Sequence, residues 1–208
     1  MTKKEEWLAG TRSAVPIMLG YVPVGIAYGV MARQAGLNTW QTVLMSLTVY
    51  GGASEMMAAG MVAQGAAVLT IVLTTFILNL RHIIMSTCVF NQMQGGRLPV
   101  RMLAAFGVTD ETFAVYTTTA NAPRTPRYFF SMALCSYLSW ALGSWLGAIA
   151  TGLLPPLITA ALGISLYAMF IGLLMPGLHG NGRLAALVVL TALCNTVLCN
   201  VVQLDSGW

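Results

Sequence analysis

Glu55, Asn79, Arg81, His82, Asp110 and Glu111 all fall inside stretches that are otherwise apolar. Their types and spacing suggest the handling of a small charged molecule. Glu55 follows Gly51-Gly52-Ala53-Ser54. A glycine pair interrupts a helix, and the half-helix running on from Ser54 would present free backbone N–H groups and partial positive charge. Gly51, Gly52, Ser54 and Glu55 are therefore candidate ligands for a substrate carboxylate. Glu55 is also a candidate proton carrier, because withdrawal from water favours the neutral form of a carboxyl group. The plainer reading makes Ser54 a helix cap and Glu55 a first-turn residue.

Asn79 and His82 are three residues apart and share a helical face, while Arg81 points elsewhere. Arg81 can pair with an acid on another helix or hold a carboxylate with its guanidinium fork. An arginine near a span end can equally reach the headgroups, and the same holds for His82. Asp110 and Glu111 are adjacent, so they point about 100° apart on a helix. One is expected to bind an ammonium group or a proton while the other pairs with Arg81; otherwise both are solvated acids at the membrane interface. An ionisable group at a membrane helix centre costs about 2.5–3.5 kcal/mol, which is why these positions draw the functional reading.

The surroundings justify speaking of a membrane. The chain has 208 residues, 57% hydrophobic and 8% charged, and its mean hydropathy is +0.76. A soluble domain carries about 25% charged residues. So few charges cannot wet a surface of this size, and lipid must replace water around most of it. The expected fold is all-α: a polytopic transmembrane helical bundle of about six to seven segments, some broken or re-entrant, forming one transporter domain over 1–208.

Residues 1–12 read as a polar N-terminal lead-in, with Trp7 suited to an interface, and not as a cleavable signal. The first span, 13–33, holds Pro16, Gly20, Pro23, Gly25 and Gly29 and is expected to be kinked or partly unwound. A second segment, 41–63, is interrupted at Gly51 to Glu55, and a third covers 66–90. The weaker fourth, 100–120, carries Thr109-Asp110-Glu111-Thr112. The fifth, 128–154, ends at Pro155-Pro156, and 157–176 and 184–203 complete the set. Ser139, Gly143 and Gly147, like Ser144, Ala148 and Gly152, recur every four residues and read as close helix packing. No internal repeat stands out.

Positive charges assign topology. Lys3, Lys4 and Arg12, then Arg97 with Arg101, then Arg124 with Arg127, all read as cytoplasmic. The three agree only if the segments around Glu55 and Asp110 enter and leave on one side, as re-entrant segments would, or if the charge rule fails in this chain. These scattered charges give no nucleic-acid signal. Cys88, Cys135, Cys194 and Cys199 lie in apolar runs without metal-binding spacing and read as small buried hydrophobes. His179, among glycines, reads as loop, and Asn195 and Asn200 as polar contacts between helices. No HExxH, GxSxG or phosphate-binding glycine loop is present, so neither an enzyme nor a cofactor is expected, and ATP is not a direct fuel.

Several runs resemble the AzlC family of branched-chain amino acid permeases. They are Pro16-Ile-Met-Leu-Gly-Tyr-Val-Pro23-Val-Gly25, Gly36-Leu37, Tyr50-Gly-Gly-Ala-Ser-Glu55, Asn79-Leu-Arg81-His82, Gly107-Val-Thr-Asp110-Glu111-Thr-Phe-Ala114 and Ala160-Ala-Leu-Gly-Ile-Ser-Leu-Tyr-Ala-Met-Phe170. Order and spacing agree over about 10–176. The resemblance implies a multi-pass protein of the bacterial inner membrane that exports valine, leucine or isoleucine, and sometimes methionine or analogues. It also implies a small hydrophobic membrane subunit of the AzlD type. Relatives often carry Gln at the position of Glu55, and they usually continue through another helix beyond 184–203. The second difference implies that the small subunit or self-association covers an exposed face.

The expectation is thus a proton-driven secondary exporter of small apolar amino acids. The substrate carboxylate would sit at Gly51 to Glu55, helped by Asn79 and Arg81, and the ammonium at Asp110 or Glu111. Glu55, His82 or Asp110 would carry the proton. A channel would keep the broken helices without a buried proton acceptor, and a non-transporting assembly subunit would use its charges only across an interface.

Overall fold

The computed structural model describes residues 2–153, 155, 161, 171, 175, 178 and 182–201. The chain divides into two compact units, Met1–Leu166 and Tyr167–Trp208. Every described element is helical. Within the second unit, Gly182–Val201 is a single helix. The expected span 157–176 and His179 lie largely or wholly outside the described residues, as do the side chains of Asn195, Cys199 and Asn200.

The first unit is built on two long helices, α1 (Lys3–Gln34) and α8 (Pro126–Ala150). They run parallel. Gly10 meets Tyr128 and Ser131, Gly25 meets Trp140 and Gly143, and Gly29 meets Ser144, Gly147 and Ala148. A methyl group on Gly29 would overlap the Ser144 carbonyl oxygen, and one on Gly147 would overlap that of Ile26. Only glycine lets the backbones approach this far.

This packing corrects two expectations. Residues 1–12 are not a separate lead-in, because α1 starts at Lys3 behind a Thr2–Glu5 capping box and continues into the span. Nor is the first span unwound, since Pro16 and Pro23 both lie inside one continuous helix. Gly25 and Gly29, counted there as breakers, serve the contact with α8.

A third long crossing joins α4 (Val68–Asn79) to α5 (Arg81–Gln92) through Leu80, whose backbone stays in the right-handed helical region. Lys3–Gln34, Val68–Gln92 and Pro126–Ala150 are the described helices long and apolar enough to cross a membrane. Half of the apolar windows of the first and last is buried, but only 6% of that of Val68–Gln92. This helix presents Val72, Phe76, Ile77, Ile83 and Ile84 outward.

The remaining helices form two short hairpins. The first comprises α2 (Thr39–Thr48) and α3 (Gly52–Ala63), the second α6 (Leu98–Phe106) and α7 (Asp110–Thr118). With a rise of about 1.5 Å per residue, each arm spans about 14–18 Å, roughly half of a ~30 Å hydrocarbon core.

Each hairpin enters and leaves at one end of the first unit. The Gln94 N–H donates to the Arg124 carbonyl at 2.6 Å, so the second returns to the end where it began. That end also holds the start of α1, because Tyr128 donates to Ser13 and Ser131 to the Trp7 carbonyl. Lys3, Lys4, Arg97, Arg101, Arg124 and Arg127 gather there, which makes it the basic end. The first hairpin enters from the opposite end. It follows Gln34 at the far end of α1, and α3 runs back beside α4, with Gly51 near Asn79. The weak segment at 100–120 is accordingly two arms with a break at Gly107 to Thr109.

The hairpin tips repeat one another. Tyr50-Gly51-Gly52-Ala53-Ser54-Glu55 matches Phe106-Gly107-Val108-Thr109-Asp110-Glu111 at aromatic, glycine and glutamate, each 56 positions on. One long crossing, α4–α5, separates the copies and inverts the second. The chain therefore holds an inverted repeat that its sequence alone did not disclose.

Candidate functional site

The two tips meet around Tyr21 of α1 and Trp140 of α8. Glu55 has no exposed surface. Its Oε1 accepts the Gly51 N–H at 2.9 Å and the Trp140 indole N–H at 3.2 Å. Its Oε2 lies 2.9 Å from the Ser46 hydroxyl, which is 2.7 Å from that of Ser144. Ser144 donates to the Trp140 carbonyl at 2.9 Å. α2, α3 and α8 thus converge on one carboxyl group.

The cap of the broken helix differs from the sequence reading. Gly51, not Ser54, occupies the N-cap, and α3 begins at Gly52. Ser54 is buried and donates back to the Gly51 carbonyl at 2.9 Å. Glycine has no side chain to cap with, so Glu55 reaches back and takes the Gly51 N–H itself. The place expected to receive a substrate carboxylate is therefore occupied by the protein's own carboxyl. The remaining first-turn N–H groups of α3 have no partner within the helix. Gly52 lies against the Trp140 ring, 3.0 Å from where its Cβ would be.

Glu111 is the second buried carboxyl, 5% exposed. Tyr21 donates to its Oε2 at 2.6 Å, and the same hydroxyl lies 2.7 Å from Thr109 Oγ1. Here Thr109 is the N-cap and Thr112 completes the capping box, so Glu111 is released from that task. Tyr21 also stands edge-on to Trp140, with ring centroids 5.3 Å apart. Trp140 in turn stacks on Tyr28 at 6.0 Å. Through Tyr21 and Trp140 the two carboxyls belong to one packed polar centre.

The adjacent acids diverge as helical geometry requires. Asp110 pairs with Arg81 at 2.9 Å, with side chains 28% and 36% exposed. This joins α7 to α5. Asn79 lies beside the first tip: its Oδ1 is buried without a hydrogen-bond partner, 3.7 Å from where a Gly51 Cβ would stand. His82 turns its Nδ1 to the Asn79 carbonyl at 3.2 Å. Gly51, Gly52, Ser54, Glu55 and Asn79 come together, with His82 and the Arg81–Asp110 pair on neighbouring turns and Glu111 on the other side of Tyr21.

Sequence reasoning missed Tyr21, Ser46, Thr109, Trp140 and the polar use of Ser144. An aromatic or a serine in an apolar run carries no signal of its own. Ser144 was visible only as part of a packing stripe, where it also serves.

The family model described as AzlC protein matches residues 16–154. An uncharacterized membrane protein of Archaeoglobus fulgidus is 33% identical over 188 residues, covering 89% of this chain and 82% of that protein. The inner membrane protein YgaZ of Escherichia coli is 29% identical over 206 residues, 94% of this chain and 83% of its own length. The branched-chain amino acid transport protein AzlC of Bacillus subtilis is 27% identical over 157 residues, 72% of this chain and 61% of its own length. No solved structure matches. Residues 16–154 take in both hairpins and every side chain of the polar centre, and the chain belongs to the AzlC family, membrane proteins with a role in transport.

Proposed function

We propose that this chain is the carrier subunit of a secondary exporter of branched-chain or other small apolar amino acids, coupled to the proton gradient across a bacterial inner membrane. One observation carries the reading: two carboxyl groups sealed at the tips of opposed half-helix hairpins, Glu55 at 0% and Glu111 at 5% exposure. Charges at such depth are costly and are kept where ions or substrates pass. Half-helices meeting from opposite ends are how inverted-repeat carriers build a central site.

Hydrogen counting supports a proton on Glu55. The contacts Glu55–Ser46, Ser46–Ser144 and Ser144–Trp140 carbonyl are 2.9, 2.7 and 2.9 Å long. Two hydroxyl hydrogens cannot fill three such contacts, and a carboxyl hydrogen supplies the third. In this mechanism the proton leaves Glu55 neutral, so an arriving substrate carboxylate can displace it from the Gly51 N–H and the Trp140 indole without like-charge repulsion. Those donors, with the free N–H groups at the start of α3, then receive the substrate carboxylate. Glu111 takes the ammonium in place of the Tyr21 hydroxyl. Asp110, engaged by Arg81, holds α7 to α5. The outward apolar face of Val68–Gln92 suits lipid or a small AzlD-type subunit.

Export of labelled valine and leucine tests this in cells lacking their own exporter, with and without the small subunit. Proteoliposomes with an imposed pH gradient provide the second measurement. Export that needs both proteins, counterflow, and acceleration by the gradient are expected, all lost in Glu111→Gln. Flux that follows the substrate gradient without counterflow would identify a pore and end the carrier reading.

A further inference from the structure

A cavity of about 930 Å³, open along one side, lies beside the polar centre between α6 and α8. That size is within the range of about 300–1,000 Å³ usual for small-molecule sites. Its outer end carries Gln94 and Arg127, at the basic end of the protein. Its walls are apolar, with Leu103, Phe130 and Ala133 facing in. Tyr50, Phe106 and Tyr137 close its inner end.

These three rings form a plug. Tyr50 stands 4.9 Å from Tyr137 and 6.0 Å from Phe106, and Phe106 is 5.7 Å from Tyr137. Tyr50 and Phe106 are the equivalent aromatics of the two tips, so each hairpin contributes one. On its other side Tyr50 meets Tyr21, with centroids 6.4 Å apart. Tyr50 separates the cavity from the residues that hold Glu111.

Two further facts single Tyr50 out. It is 4% exposed, and its hydroxyl, turned toward that of Tyr21, makes no hydrogen bond within 3.5 Å. Its φ of +48° is a left-handed conformation that a tyrosine adopts only when its surroundings hold it there. A buried donor left unpaired in a strained residue points to a ligand that completes it.

We propose that this cavity is the path by which the apolar amino acid enters from the basic end, and that Tyr50 is the gate between the cavity and the polar centre. The zwitterionic end of the substrate meets Gln94 and Arg127 while its branched side chain lies along Leu103 and Ala133. The free Tyr50 hydroxyl then donates to the substrate carboxylate as the plug opens. The proposal rests on the transport reading above, but the gate is measured without reference to any substrate.

Thiol labelling of the full chain with its small subunit tests both parts, in a background with Cys88, Cys135, Cys194 and Cys199 changed to serine. Leu134→Cys places an accessible thiol on the cavity wall, and the near-isosteric Ser54→Cys places one behind the gate. N-ethylmaleimide is expected to modify the first readily, and leucine, but not lysine, to slow it about fivefold, as occupancy of a site protects it. The second is expected to be inert, and to react about tenfold faster once the gate is opened locally by Tyr50→Gly. Glycine suits the positive φ, so this variant removes the ring without straining the backbone. Tyr50→Phe keeps the plug and leaves Ser54→Cys inert, which guards against a general loosening of the fold.

Equal reaction at Ser54→Cys with tyrosine, phenylalanine or glycine at position 50 would overturn the gate. Labelling of Leu134→Cys that ignores leucine in a preparation that transports it would overturn the entry path and leave a lipid chain as the occupant. If the protein moves no leucine at all, the transport reading fails, and with it the entry path. The Ser54→Cys rates still judge the gate.

Discussion

Glu55 offers the sharpest test of the hydrogen arrangement at the polar centre. Its Oε1 accepts from the Gly51 N–H and the Trp140 indole, and its Oε2 meets Ser46. In Glu55→Ala both N–H groups stay buried without an acceptor. Each costs about 1–3 kcal/mol, so the loss should be about 2–6 kcal/mol before any cavity contribution. Glu55→Gln should behave quite differently. Its amide oxygen can take both N–H groups, and its NH₂ can donate to Ser46 as a protonated carboxyl would, so the expected change is within about 1 kcal/mol. Denaturant titration in micelles, followed by circular dichroism, measures the two losses. Proteoliposomes then ask whether Glu55→Gln keeps counterflow while losing its response to a pH gradient. If glutamine destabilises as much as alanine, the missing hydrogen is not on Glu55, and the serine row holds an ionised carboxylate instead.

The other predictions concern packing, the second carboxyl and topology. Tyr21→Phe removes the donor to Glu111 and should cost about 1–3 kcal/mol by the same denaturant assay. Gly29→Ala places a methyl into the Ser144 carbonyl and should cost about 1–3 kcal/mol or more in folded stability. Gly60→Ala, where the space is open, should leave folded yield unchanged. A double-mutant cycle on Arg81→Ala and Asp110→Ala should give a coupling of at most about 1 kcal/mol, because both side chains remain about a third exposed. Thiols introduced by Asn38→Cys and Gly65→Cys should be labelled from the same face of the membrane, since the first hairpin enters and leaves at one end. Labelling from opposite faces would remove the re-entrant reading.

The breaks were legible because their causes are local. Gly51-Gly52 and Thr109-Asp110-Glu111 put helix-ending residues inside apolar runs, and three basic clusters agree with one another when the chain turns back there. The unwinding expected of α1 failed because its cause is distant. Gly25 and Gly29 look like breakers until the backbone of α8 lies against them, more than a hundred residues on. Tyr21 and Trp140 stayed invisible for the same reason: what an aromatic ring does in an apolar run depends on which carboxyl another helix brings to it. The expectation that one acid would pair with Arg81 rested on helical geometry, and the identity of that acid, Asp110, needed the fold.

The repeat escaped notice because the two tips coincide only at the aromatic, the glycine and the glutamate. Their differences assign the two carboxyls different work. In the second tip Thr109 and Thr112 cap α7 with their own hydroxyls, and Glu111 is left to bond Tyr21. In the first tip the N-cap is Gly51, which has nothing to offer, so Glu55 must serve as the cap. A glutamate that caps its own half-helix competes with any carboxylate arriving there, and its release is the step to which a proton can be tied. One that leaves capping to threonines remains available to a cation. A glycine cap in one tip and a threonine cap in the other thus leave the two glutamates with different partners.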